Sequence, residues 1–138
     1  GLQYNHSYLR PRTDGPHWLF PDGYVHPGSE LFGYLRAEPG LTLVAYSPLL
    51  KGAYTRSDKT LPAEYDHPGT LARMAALREV AAETGATLNQ VVLAWQIGHE
   101  PPIIPLVGVS SLEQLEENLG GAALELTAGQ RAKLDAAH

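Results

Sequence analysis

The chain has 138 residues, is 43% hydrophobic and 18% charged, and carries a formal net charge of −5 with no cysteine. These totals suit one soluble globular domain over residues 1–138, exclude disulfides and thiolate chemistry, and argue against nucleic acid as the main partner. No apolar run reaches the roughly 18 residues of a membrane span, and no basic run or secretory signal pattern points to a membrane, so a reducing, cytoplasmic setting is expected.

The opening residue is Gly1 rather than methionine, which suggests a tag remnant or a cut chain. A strand is expected at Leu2 to Tyr4. The following stretch is broken by Pro11, Gly15, Pro16, Pro21, Gly23, Pro27 and Gly28, so it reads as loop, and Trp18, Phe20 and Tyr24 suggest a packed one. Ser29 is placed to cap a short helix through Leu31, Phe32 and Leu35, which Pro39-Gly40 ends. Leu41 to Tyr46 is a short apolar run and reads as a buried strand. Residues 51–69 read as polar loop.

From Thr70 to Thr84, helical spacing links Leu71, Met74, Leu77, Val80 and Ala81, with Gly85 as the residue past the end. Thr87 followed by Gln90 has capping-box form and opens a helix through Val91, Val92, Leu93 and Trp95. Pro101-Pro102 stops it, and Ile103 to Val107 is a third strand. After Gly108, Ser110 and Ser111 stand before Glu113 and Gln114, a second capping box opening a helix through Leu112, Leu115 and Leu119. Thr127 opens a last helix containing Leu134. Strands alternating with helices in this order mean an α/β fold of parallel strands joined by crossover helices.

In such folds ligands sit beyond the carboxyl ends of the strands. Tyr46 there has a flat face for a planar ligand, Ser47 a hydroxyl, and Pro48 ends the ladder. The competing account of Tyr46 is a core tyrosine with a satisfied hydroxyl. Gly108, Val109, Ser110 and Ser111 lead into a helix whose first-turn amides form a generic anion seat; plain helix capping is the alternative. The six histidines show no metal spacing and read as loop residues, and Lys51 is either a phosphate contact or a solvated side chain.

The segments "LQYNHSYLR", "GLTLVAYSPLLKG", "TLNQVVLAWQI" and "IIPLVGVSSLEQLEENLGGAALELT" occur in an order that resembles the carboxyl half of the aldo-keto reductases, from about Gln3 to the end. The resemblance implies part of a (β/α)8 TIM barrel, its three strands being the sixth to eighth. It implies a nicotinamide cofactor, NADP(H) or alternatively NAD(H), and an aldehyde or ketone substrate for the whole enzyme. Tyr46 would stack under the nicotinamide and Gln3 would bond its carboxamide. Ser47, Pro48, Leu49 and Gly52 would line the pyrophosphate path. Gly108, Val109, Ser110 and Ser111 would hold the adenosine phosphate, with Gln114, Glu117 and Asn118 near that phosphate or the adenine.

Two departures follow from the same resemblance. Many members carry a cation near Gly108 to Ser111 and an arginine at the position of Gln114; this chain has neither, which weakens 2′-phosphate recognition. A barrel of this type also takes about 250 residues. The family's catalytic aspartate, tyrosine, lysine and histidine lie in the amino half and match no position here, so no catalytic residue is assigned. The alternative is a non-catalytic nucleotide-binding or regulatory half-barrel acting through a partner, an amino-terminal half, or self-association along open sheet edges.

Overall fold

The computed structural model describes residues 1–12 and 30–138. The expected cap at Ser29 and the aromatics Trp18, Phe20 and Tyr24 lie outside the described residues. The elements are β1 (Leu2–Asn5), α1 (Leu31–Ala37), β2 (Leu43–Tyr46), α2 (Pro68–Thr84), α3 (Leu88–Ile97), β3 (Ile103–Leu106), α4 (Leu112–Ala123) and α5 (Ala128–Ala136). Short 3-10 turns at Leu50–Gly52 and Ala63–Tyr65 interrupt the stretch expected to be plain loop. The expected order of strands and helices is therefore found.

The strands form one parallel sheet in the order β1-β2-β3. Asn5 is level with Tyr46, and Tyr46 with Leu106, so the three carboxyl ends form one rim. Alternation along the strands gives the sheet two faces. Leu43, Ala45 and Ile103 are buried with Leu35 of α1. The other face carries Gln3, Val44 and Ile104 in one row and Asn5, Tyr46 and Leu106 in the next. It is open, with Ile104 54% and Leu106 50% exposed.

The larger core lies among α2, α3 and α5, around Leu77, Val80, Val91, Trp95 and Leu134. Pro68 begins α2 two residues before the expected start; its missing N–H costs nothing in a first turn. Gly85 closes α2 in the left-handed region at φ 70°, where a Cβ would be strained. The expected apolar face needs one correction. Leu71 points outward, 75% exposed, while Arg73 is buried to 1%. Arg73 is accommodated by donating from Nε to the Tyr8 carbonyl (2.7 Å) and from Nη1 to the Ala137 carbonyl (2.8 Å), with its guanidinium 3.9 Å from the Tyr8 ring centre. Burial lowers its pKa to about 10.

Thr87–Gln90 and Thr127–Gln130 both form complete capping boxes. The helix expected at α4 is found, but its leucines do not form its buried face. Leu112, Leu115 and Leu119 are exposed, and the helix instead buries Asn118 and Gly121. It docks on α3 through small and polar groups. Gln90 Nε2 donates to the Glu117 carbonyl (3.1 Å), and a Cβ on Gly121 would lie 3.0 Å from Gln90 Cα, so glycine eases this close approach.

The segment read as polar loop also contains Tyr54 and Tyr65, both buried. The Leu9 amide donates to Tyr54 Oη (2.9 Å), Tyr54 Oη lies 2.6 Å from Ser7 Oγ, and Ser7 Oγ donates to the Pro48 carbonyl (2.5 Å). This chain of bonds ties the segment after β1 to the segment after β2. Burial pushes the Tyr54 hydroxyl up to about 12, so it stays protonated and able to donate.

Candidate functional site

Beyond Tyr46 the backbone enters the left-handed region repeatedly, at Ser47 (φ 51°), Leu50 (φ 48°), Lys51 (φ 56°) and Gly52 (φ 89°). Tight turns hold it there: the Leu50 amide donates to the Ser47 carbonyl (3.1 Å), and the Gly52 amide to the Leu49 carbonyl (3.0 Å). A Cβ on Gly52 would lie 3.1 Å from Arg56 Cδ, so the arginine stem runs across the glycine. Arg56 forms a two-bond fork with Asp58, Nε to Oδ1 at 3.0 Å and Nη2 to Oδ2 at 2.6 Å. The bond from Arg56 holds the Asp58 carboxyl below its ordinary range.

At the end of β3 the chain runs through Val107 and Gly108 into α4. Ser111 Oγ accepts from the Gln114 amide (3.2 Å). The glutamine side chain, however, returns to Ser110, not to the cap residue: Gln114 Oε1 accepts from Ser110 N (2.8 Å) and Ser110 Oγ (3.2 Å). The second capping box expected from sequence is thus half formed and displaced by one residue. The amides of Ser110 and Gln114, which an anion would have to share, are satisfied within the cap.

The two strand ends face one cleft of about 540 Å³. One wall is the segment after β2: Tyr46, Ser47, Pro48, Leu49, Lys51, Gly52, Thr55 and Arg56. The other is Leu106, Val107 and Gly108 with Gln114, Glu117 and Asn118 of α4 and Asn89 of α3. Most of the residues singled out in the sequence therefore line a single space. The exceptions are Gln3, Val109, Ser110 and Ser111. Gln3 stands within β1 on the open sheet face, Val109 is 43% exposed, and the serines sit in the cap. Tyr46 is not a sealed core residue, since 47% of it is exposed.

Sequence reasoning did not find Thr55, Arg56 or Asn89. No motif marked the first two, which follow the Lys51-Gly52 turn. Asn89 sits in the first turn of α3, where it reads as a cap-region residue, yet it is buried and its Oδ1 has no hydrogen-bond partner. Glu117 accepts from Thr87 Oγ1 (2.7 Å), so the α3 cap also positions this carboxylate.

A smaller cavity of about 260 Å³ adjoins at Tyr46, Ser47 and Lys51 and reaches Asn5, His6 and Tyr65. His6 Nε2 is buried without a partner, and burial, with the nearby His99, lowers the imidazole pKa to about 3. The His6 ring lies 5.7 Å from Phe32 and 5.8 Å from Trp95. Among the described residues no group of His, Asp and Glu could hold a metal ion, and no helix is long and apolar enough to cross a membrane.

Comparison with known proteins places this geometry. The profile of the Aldo/keto reductase family matches residues 24–138. Aldo-keto reductase str7 of Strobilurus tenacellus is 35% identical over 104 residues, covering 65% of this chain and 31% of that protein. The chloroplastic pyridoxal reductase of Arabidopsis thaliana is 32% identical over 107 residues, covering 71% of this chain and 29% of that protein. The chain thus spans about a third of the length of the curated relatives it matches. Among solved structures, the thermostable aldo-keto reductase Tm1743 with the inhibitor epalrestat superposes at TM-score 0.56 and 29% identity, over 77% of this chain and 32% of that one. The aldo/keto reductase from Klebsiella pneumoniae with NADP and acetate gives TM-score 0.63 at 19% identity, over 96% of this chain and 37% of that one, which speaks for the fold alone. With a matched profile over most of its length and a parallel sheet like part of those barrels, this chain belongs to the aldo/keto reductase family.

Proposed function

We propose that the chain supplies the cofactor-binding wall of an NADP(H)-dependent carbonyl reductase. The observation that carries this is one cleft lined both by the half-exposed Tyr46 ring and by Gly108 with the first turns of α4. In this reading the nicotinamide lies on Tyr46, with Gln3 and Asn5 on the same sheet face. The pyrophosphate follows Ser47, Pro48, Leu49 and Gly52. The adenosine end reaches Gln114, Glu117 and Asn118, beside the loop from Gly108 to Ser111.

When bound, the nicotinamide supplies or accepts the hydride for an aldehyde or ketone. This chain's own residues bind and orient it. The Tyr46 ring gives a flat apolar support, and the level strand ends fix its height on the rim. The group that protonates the carbonyl oxygen is assigned to strands outside this chain, which would also cover the open face around Val44 and Ile104.

Calorimetric titration with NADPH tests the reading. Saturable binding is expected, weakened about 10-fold by Tyr46→Ala through loss of ring stacking. Absence of saturable binding of NADPH and NADH alike would defeat it. Turnover of a simple aldehyde by the chain alone would overturn the placement of the proton donor.

A further inference from the structure

The cavity of about 260 Å³ beside the cleft has a lining of definite character. Four of its residues are polar: Asn5, His6, Ser47 and Lys51. The other four, Tyr46, Leu50, Pro62 and Tyr65, give it apolar walls. Among the described residues no aspartate or glutamate lines it. One cation and several neutral polar groups set among apolar walls suit a ligand with an anionic head and an apolar body. The volume is below that of a drug-sized site, so the ligand is small.

The polar groups of this lining are not spent elsewhere. Among the described residues no hydrogen bond or ion pair engages the side chains of Asn5, Ser47 or Lys51. His6 Nε2 is buried without a partner. Arg56, by contrast, is already paired with Asp58 and lines only the larger cleft. The walls are held by backbone bonds. The His6 amide donates to the Tyr46 carbonyl (3.2 Å), and the Leu50 amide to the Ser47 carbonyl (3.1 Å). An ammonium without a carboxylate beside it, among neutral donors, matches a carboxylate, which carries one charge and accepts several hydrogen bonds.

We infer that this cavity binds a small monocarboxylate with an apolar body. The carboxylate meets Lys51 and the Asn5 amide, and the body lies against Leu50 and Tyr65. This does not rest on the nucleotide reading given above. The cavity and the cleft share Tyr46, Ser47 and Lys51 as walls, so an occupant of one borders an occupant of the other.

The test is NMR titration of the full chain with benzoate and with benzamide, its uncharged analogue. The ligand signals and the His6 imidazole protons are both followed, and His6→Phe assigns the latter. Benzoate should bind saturably with a Kd of about 1 mM and shift the His6 protons, and benzamide should bind at least about 10-fold more weakly. Lys51→Met and Asn5→Leu should each weaken benzoate by about 5- to 20-fold. Arg56→Ala should leave it unchanged. Lys51 is exposed, so the fold should survive its replacement; circular dichroism and the melting temperature check this for every variant. Equal affinity for benzoate and benzamide, or unchanged benzoate affinity in Lys51→Met or Asn5→Leu, would overturn the assignment. So would a loss in Arg56→Ala as large as that in Lys51→Met, which would put benzoate in the larger cleft. Binding of NADPH, or its absence, bears on the nucleotide reading alone.

Discussion

Acidification should weaken the fold through His6, and the size follows from its surroundings. The imidazole sits beside Phe32 and Trp95, with Nε2 buried and unpartnered. Burial is the largest cause of its lowered pKa, followed by His99, Arg10 and Arg73, all of which oppose a second positive charge. The folded-state value is about 3, against 6.5 for the free side chain. Between these values the unfolded chain binds a proton that the folded chain does not, so stability falls as pH drops through that window. The slope approaches about 1.4 kcal/mol per pH unit, which gives about 2 kcal/mol between pH 6.5 and 4.5. The assay is urea unfolding at a series of pH values, for the unaltered chain and for His6→Phe, which keeps a ring against Phe32 and Trp95. Carboxylates held low by cations, such as Asp58 and Glu83, add to the acid loss in both proteins, so the difference between the two curves isolates His6. Parallel curves for the two proteins would refute the reasoning.

Two further outcomes are expected. Arg73→Met leaves the buried Tyr8 carbonyl without its donor and removes the cation from the Tyr8 ring; after relief of the buried charge, a net loss of about 2–4 kcal/mol in urea unfolding is expected. A change below about 0.5 kcal/mol would show that Arg73 is tolerated there and does not act as a tie to the carboxyl-terminal segment. The open sheet face and the exposed Leu112, Leu115 and Leu119 should make the isolated chain self-associate with rising concentration, and Ile104→Gln should reduce this. Light scattering that reports a monomer throughout would count against it.

Local signals in the sequence predicted local structure well. Strands β2 and β3 are short apolar runs, Thr87 and Thr127 carry a glutamine three residues on, and Gly85 sits where a left-handed residue is required. What failed depended on which neighbours a helix meets. Leu71 belongs to the apolar spacing of α2 yet faces outward, and Arg73 is buried in its stead because two backbone carbonyls and an aromatic face meet its guanidinium. The leucines of α4 obey helical spacing, but α3 accepts the opposite, small-residue face at Gly121. Tyr54 and Tyr65 could not be placed because their stretch has no periodicity. In the cleft, Tyr46 and Gly108 were legible as strand-end residues, whereas Arg56 and Asn89 join them only through folding of the intervening chain.

The segment after β2 concentrates backbone strain at the place where a ligand would lie. Ser47, Leu50 and Lys51 are not glycines, yet all three adopt positive φ. Each such residue costs about 1–3 kcal/mol and persists only where the surroundings over-determine it. Here the surroundings are identifiable: Tyr54 is anchored under the segment, Ser7 holds the Pro48 carbonyl, and the Leu50 and Gly52 amides close successive turns. The result is a turned ledge that places Lys51 and Arg56 in the cleft wall instead of letting the chain continue as strand. The positive φ values and the place of Lys51 and Arg56 in the cleft wall are therefore one arrangement.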